Sequence, residues 1–108
     1  MKHIKSTLPI QLFEKKYFNI VVAGRTMATI EILCFDENEY AAQAKIIETN
    51  KEVSTAVCNP SCFETLDDAL QEIVSLIDEE IKDNDWVKKN HNKYKIIWRN
   101  YIWQTKHY

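Results

Sequence analysis

The chain has 108 residues, 45% hydrophobic and 28% charged, with a formal net charge of −2, one glycine, two prolines and three cysteines. That length and apolar content suit one globular domain over 1–108 with a modest core, not a disordered segment. One glycine excludes a glycine-rich phosphate cradle, three cysteines exclude a disulfide framework, and the near-neutral total hides two opposed charge blocks.

The first segment, Met1 to Phe13, carries two lysines and no apolar run long enough for a signal peptide. No stretch approaches the roughly 20 apolar residues that span a bilayer. The Asn59-Pro60-Ser61 triplet is blocked for glycosylation by its proline. A cytoplasmic, reducing setting without a membrane is expected.

Lys16 to Ala23 is rich in β-branched and aromatic residues and reads as a strand. Gly24-Arg25 turns into a second strand, Met27 to Phe35, so the pair reads as a hairpin. In the second strand Ile30, Ile32 and Cys34 alternate with Thr29, Glu31 and Leu33. Asp36 to Glu39 is the next turn. Tyr40 to Glu48 follows, with Tyr40, Ala42, Ala44 and Ile46 on one face. Thr49-Asn50-Lys51 leads into Glu52 to Cys58. These runs predict a three- to four-stranded antiparallel meander with one wet face.

Thr65 is the expected N-cap of a helix, with Asp67 and Asp68 in its first turn. Leu66, Ala69, Leu70, Ile73, Val74, Leu76, Ile77 and Ile81 share one face at helical spacing. A helix over 65–82 is about 27 Å long at ~1.5 Å per residue, and it must cover the dry face of the sheet. The segment 86–104 reads as an aromatic helix or strand. On a wheel Trp86, Val87, Tyr94, Ile97, Trp98, Tyr101 and Ile102 gather on one side. As a strand, Tyr94, Ile96, Trp98 and Ile102 alternate with Lys95 and Arg99. The helix is preferred, with a break near Asn90 to Asn92. The fold class is therefore α+β, a meander backed by one long amphipathic helix.

The charge blocks supply the candidate sites. Residues 64–85 carry nine acids against Lys82 alone; residues 86–108 carry no acid and six bases. On the helix Asp68, Glu72 and Glu79 form one column, Asp67 and Asp78 a second, and Glu79, Glu80, Asp83 and Asp85 crowd a C-terminal end where the dipole prefers cations. Glu80 even falls within the apolar arc. The bland reading is a solvated face neutralised by Lys82, Lys88 and Lys89. The functional reading is a partner-binding face of Asp67, Asp68, Glu72, Asp78, Glu79 and Asp83.

The basic segment offers an alternative, nucleic-acid binding by Lys88, Lys89, Lys95, Arg99, Trp98 and Trp103 through phosphate contacts and base stacking. Its bland reading is packing on the sheet or at a homodimer interface. Cys58 and Cys62, with His91 and His107, match no metal-ligand spacing; no metal and no cofactor are expected. His3, His91 and His107 lack the context of a catalytic triad or dyad, so an enzyme is not expected.

Phe63-Glu64-Thr65-Leu66-Asp67-Asp68-Ala69, behind three strands, resembles the helix start of small antitoxins of the HicB type. The glycine- and proline-containing signature that this family carries between its strands is absent, and no function is carried over. The sequence reads as a non-enzymatic inhibitor or regulator of the kind phage and mobile elements direct against host defence complexes. Its acidic helix would stand in for phosphates in the basic groove of a protein or protein–nucleic-acid complex. A structural homo-oligomer is the third reading.

Overall fold

The computed structural model describes residues 14–58 and 61–99. It is an α+β structure: five antiparallel strands form one sheet, and a long helix packs on it. The strands are β1 (Glu14–Val22), β2 (Arg25–Asp36), β3 (Glu39–Ile46), β4 (Glu52–Ser54) and β5 (Tyr94–Arg99), in the spatial order β4-β3-β2-β1-β5. The helices are α1 (Leu66–Ile81) and α2 (Asp85–Asn90). Short 3-10 turns occupy Thr55–Val57 and His91–Lys93. Among the described residues no helix is long and apolar enough to cross a membrane.

The hairpin turn sits one residue earlier than the sequence suggests. Ala23 and Gly24 both hold positive φ, 49° and 81°, the backbone a two-residue turn needs to match the twist of its strands. Arg25 is thereby released to start β2. Strand alternation then sorts the sheet. Phe18, Ile20 and Val22 of β1, Ala28, Ile30 and Ile32 of β2, and Ala42, Ala44 and Ile46 of β3 are all buried on the helix side. Thr29, Glu31, Leu33, Gln43 and Lys45 lie on the opposite, open side.

The fourth strand is shorter than expected. It stops at Ser54 because the buried Thr55 hydroxyl does the next residue's pairing: it accepts from Ala42 N–H at 3.0 Å and donates to Ala42 C=O at 3.3 Å. A backbone bridge between Tyr40 and Phe63, with both hydrogen bonds at 2.7 Å, then closes this end of the sheet.

Thr65 caps α1, its hydroxyl accepting from Asp68 N–H at 3.0 Å. Ala69, Ile73, Ile77 and Ile81 are buried, and α1 packs chiefly on β3, with β2 and β4 beside it. The alanines of β3 let the helix axis come close. After Lys82 the chain breaks, Asn84 caps α2 by accepting from both Trp86 and Val87 N–H, and the chain crosses to the far edge of the sheet.

There the preference for helix is corrected. Residues Tyr94–Arg99 form β5, antiparallel to β1 from Tyr17↔Arg99 to Val22↔Tyr94. The cause is long-range: β1 is buried between neighbours, so its backbone groups need a partner on that side, and β5 supplies it from about 80 positions away. The break near Asn90 to Asn92 stands as the His91–Lys93 turn. Tyr101, Ile102 and Trp103 lie outside the described residues.

Candidate binding surfaces

Two surfaces emerge, on different elements. The first is the outer face of α1. Asp67, Asp68, Asp78, Glu79 and Asp83 are exposed there and Glu72 is half-buried. Most of these acids have a local account. Asp67 and Asp68 sit in the first turn, where the helix dipole favours them. Glu79 accepts from Lys82 Nζ at 3.0 Å; the bond and the charge of Glu79 hold the Lys82 ammonium above its usual range. Glu80, the acid inside the apolar arc, accepts from Lys51 Nζ at 2.8 Å, offered by the β3–β4 turn. Asp85, misplaced if α1 ran on, lies instead in the first turn of α2.

Glu72 accepts from Cys58 Sγ at 3.6 Å. Burial, then the bond and charge of Glu72, push the Cys58 thiol up, away from a reactive thiolate. Asp78 accepts from Tyr94 Oη at 2.7 Å. Burial and then Asp78 raise the Tyr94 hydroxyl well above its ordinary value. This contact joins the acidic helix to the C-terminal strand, and it leaves the negative charge of Asp78 in place.

Lys88 shares a recess with Asp78, and Lys89 a cleft with Asp83 and Asp85, but among the described residues none of Lys88, Lys89, Lys93 and Lys95 comes within ion-pair distance of an acid on α1, and Asp67, Asp68 and Asp83 have no cation at that distance. Local rules fix where most of these acids sit; they leave these three without a contact ion pair.

The second surface is β5. Ile96 and Ile97 are each 43% exposed and Trp98 56%. The alternative nucleic-acid set divides. Trp98 pairs with Phe18 and shares its helix-side face, with Lys16 Nζ 5.9 Å from its ring centroid. Lys95 and Arg99 are on the open face, where Arg99 donates to the Asn19 side chain at 3.4 Å. Lys88 lines a shallow recess of about 430 Å3 with Asp78, Ile81, Lys82, Val87, His91 and Tyr94. Lys89 lines a separate cleft of about 500 Å3 at the hairpin end. The structure therefore spreads these bases over three places. Trp103 is outside the described residues.

Sequence reasoning missed the device that anchors α2. The Trp86 indole N–H donates to Val22 C=O at 2.8 Å, and the Arg25 guanidinium lies 4.3 Å from its ring centroid. A tryptophan, Trp86, two residues beyond the Asp83-Asn84 break was the available signal. Cys34, Cys58 and Cys62 are free thiols. Among the described residues no three or more of His, Cys, Asp and Glu converge as a metal site requires; His3 and His107 lie outside them.

No family model, curated protein or solved structure matches the chain.

Proposed function

We propose that this chain is a non-enzymatic binding protein, an inhibitor or regulator that docks the acidic face of α1 into a lysine- and arginine-lined groove of a protein or protein–nucleic-acid complex. Asp67, Asp68, Glu72, Asp78, Glu79 and Asp83 take the places of phosphates. Small phage and mobile-element proteins that block host nucleic-acid-handling complexes act in this way, and we place the chain in that class by its chemistry.

The observation that carries the reading is the acid surplus of the helix. Asp67, Asp68 and Asp83 are exposed and make no contact ion pair among the described residues, on or just after a helix whose inner face is packed against the sheet. The field of such a surplus steers association with a basic partner and weakens with salt.

An arginine-rich peptide serves as a stand-in for the groove. The chain should bind it in a salt-sensitive manner, and reversal of Asp67, Asp68 and Asp83 to lysine should weaken binding by about tenfold or more. A triple variant that binds as well as the parent, or a parent that binds a single-stranded oligonucleotide in preference to the peptide, would sink the proposal.

A further inference from the structure

The two edges of the sheet are built differently. β4 offers three residues, then turns away through the Thr55 hydroxyl, and the Tyr40–Phe63 bridge follows. β5 offers six residues in unbroken register with β1, and among the described residues nothing pairs with its outer side. An unblunted edge of this kind is a template for another strand.

The register tells which groups face outward. Ala23 N–H donates to Lys93 C=O at 3.2 Å, continuing the β1–β5 ladder by one step. Antiparallel alternation then turns the backbone groups of Lys95, Ile97 and Arg99 towards β1, and those of Ile96 and Trp98 outward, together with the Tyr94 C=O; the Tyr94 N–H donates to His91 C=O. The side chains sort by the same parity. Tyr94, Ile96 and Trp98 share the helix-side face with Val22, Ile20 and Phe18; Lys95 and Ile97 are on the open face with Val21 and Asn19. α1 lies over β2, β3 and β4, which leaves Ile96 and Trp98 uncovered by it.

The geometry points to β5 as a docking edge for an extended peptide segment of a partner protein in which apolar and acidic residues alternate. Main-chain bonds to Ile96, Trp98 and the Tyr94 C=O hold the strand. Its apolar side chains lie beside Ile96 and Trp98, and its carboxylates beside Lys95, with Lys93 just outside. A second copy of this chain fits poorly. The face-matched registers of β5 on itself set Lys95 against a second Arg99, or Arg99 against a second Lys93, and like charges directly opposite are unfavourable. The charge that keeps copies apart selects an acidic strand.

This surface is independent of the acidic face of α1. The test uses the whole chain and two labelled synthetic peptides, valine alternating with glutamate and valine alternating with lysine. The glutamate peptide should bind about tenfold more tightly or better. Ile96→Pro removes an outward N–H and leaves the ladder groups of Lys95 and Ile97 in place; it should weaken that binding by about tenfold, while leaving the arginine-rich peptide bound to α1. Lys95→Glu, an exposed reversal with no ladder role, should invert the preference. Circular dichroism and the denaturation midpoint check that both variants fold. Amide exchange on the parent should find Ile96 and Trp98 fast and Lys95 and Ile97 slow. Equal affinity for the two peptides, undiminished binding by a folded Ile96→Pro, outward amides already protected in the isolated chain, a β5-dependent dimer in sedimentation, or tighter binding of a single-stranded oligonucleotide would each overturn the assignment.

Discussion

The long helix and the last strand hold their places by opposite means. α1 is anchored by its own inner face, where Ile73 and Ile77 are fully buried, and by a cap written within four residues of its start. Not one of the six residues of β5 is buried; the strand is held by its ladder to β1 and by Tyr94 on Asp78. The contrast separates two kinds of recognition surface. α1 offers side-chain charge on a firmly packed support, and its partner is specified by sign. β5 offers main chain with apolar flanks, and its partner is specified by extended conformation and by the alternation of its residues.

The sharpest way to break that contrast is to delete the same atoms from each region. Ile77→Ala should cost about 2–5 kcal/mol, the range for emptying a fully packed site. Ile96→Ala, from a residue 43% exposed, should cost less than about 1.5 kcal/mol. Urea denaturation of both variants checks this. Comparable losses would mean that β5 is as deeply anchored as α1.

Next in size is the cap. Thr65→Ala leaves Asp68 N–H without its acceptor and should cost about 1 kcal/mol, a fall in melting midpoint of roughly 4–8 °C. No matching local substitution exists for β5, because the strand has no comparable local signal. This is why the two regions differed in legibility. β1 to β3 announce themselves by alternation, and α1 by its period and its cap. In β5 Tyr94, Ile97 and Trp98 fit a helix side as readily as Tyr94, Ile96 and Trp98 fit a strand face, and the deciding contact, the ladder to Tyr17 through Val22, is distant in sequence. The site was legible in part for the same reason. The spacing of the acids places Asp67, Asp68, Asp78 and Glu79 on the exposed side of α1, but Glu80 looks anomalous until Lys51 comes from the β3–β4 turn, and Asp85 until Asn84 restarts the chain as α2. Each correction came from a neighbour that no local rule names.

The Lys51–Glu80 pair sharpens the comparison at lower amplitude. Both side chains are substantially exposed, so Lys51→Met should cost at most about 1 kcal/mol. Thermal melts at low and high salt should show the difference from the parent shrinking as salt rises, since surface pairs are screened. A loss that ignores salt would identify packing of the lysine stem against α1 as the real contribution.

A prediction of similar amplitude, read through pH, lies where the two regions meet. Tyr94 donates to Asp78 from a partly buried position, and burial first, then Asp78, raise its hydroxyl above the ordinary 10.0. A raised folded value means that the folded chain holds this proton more tightly than the unfolded chain. The stability it contributes is complete below pH 10.0 and is lost as pH rises beyond it. Lys82, Lys88 and His91 line the same recess, and Lys82, also raised by Glu79, sheds its contribution in the same direction. The parent alone would therefore not isolate the tyrosine. Tyr94→Phe keeps the ring on the core and deletes only the titrating hydroxyl. At neutral pH it should cost about 0.5–1.5 kcal/mol, the worth of one hydrogen bond. Above pH 10.0 the parent's advantage over the variant should shrink steadily, because the unfolded parent ionises at Tyr94 before the folded chain does and the variant has no proton there to release. Urea midpoints of both proteins, followed from neutral to strongly alkaline pH, measure that gap directly. If it stays constant, folding does not raise the Tyr94 hydroxyl; if there is no gap at neutral pH, the hydroxyl does not hold β5 to α1, and the strand is kept in place by its ladder and the packing of the Tyr94 ring.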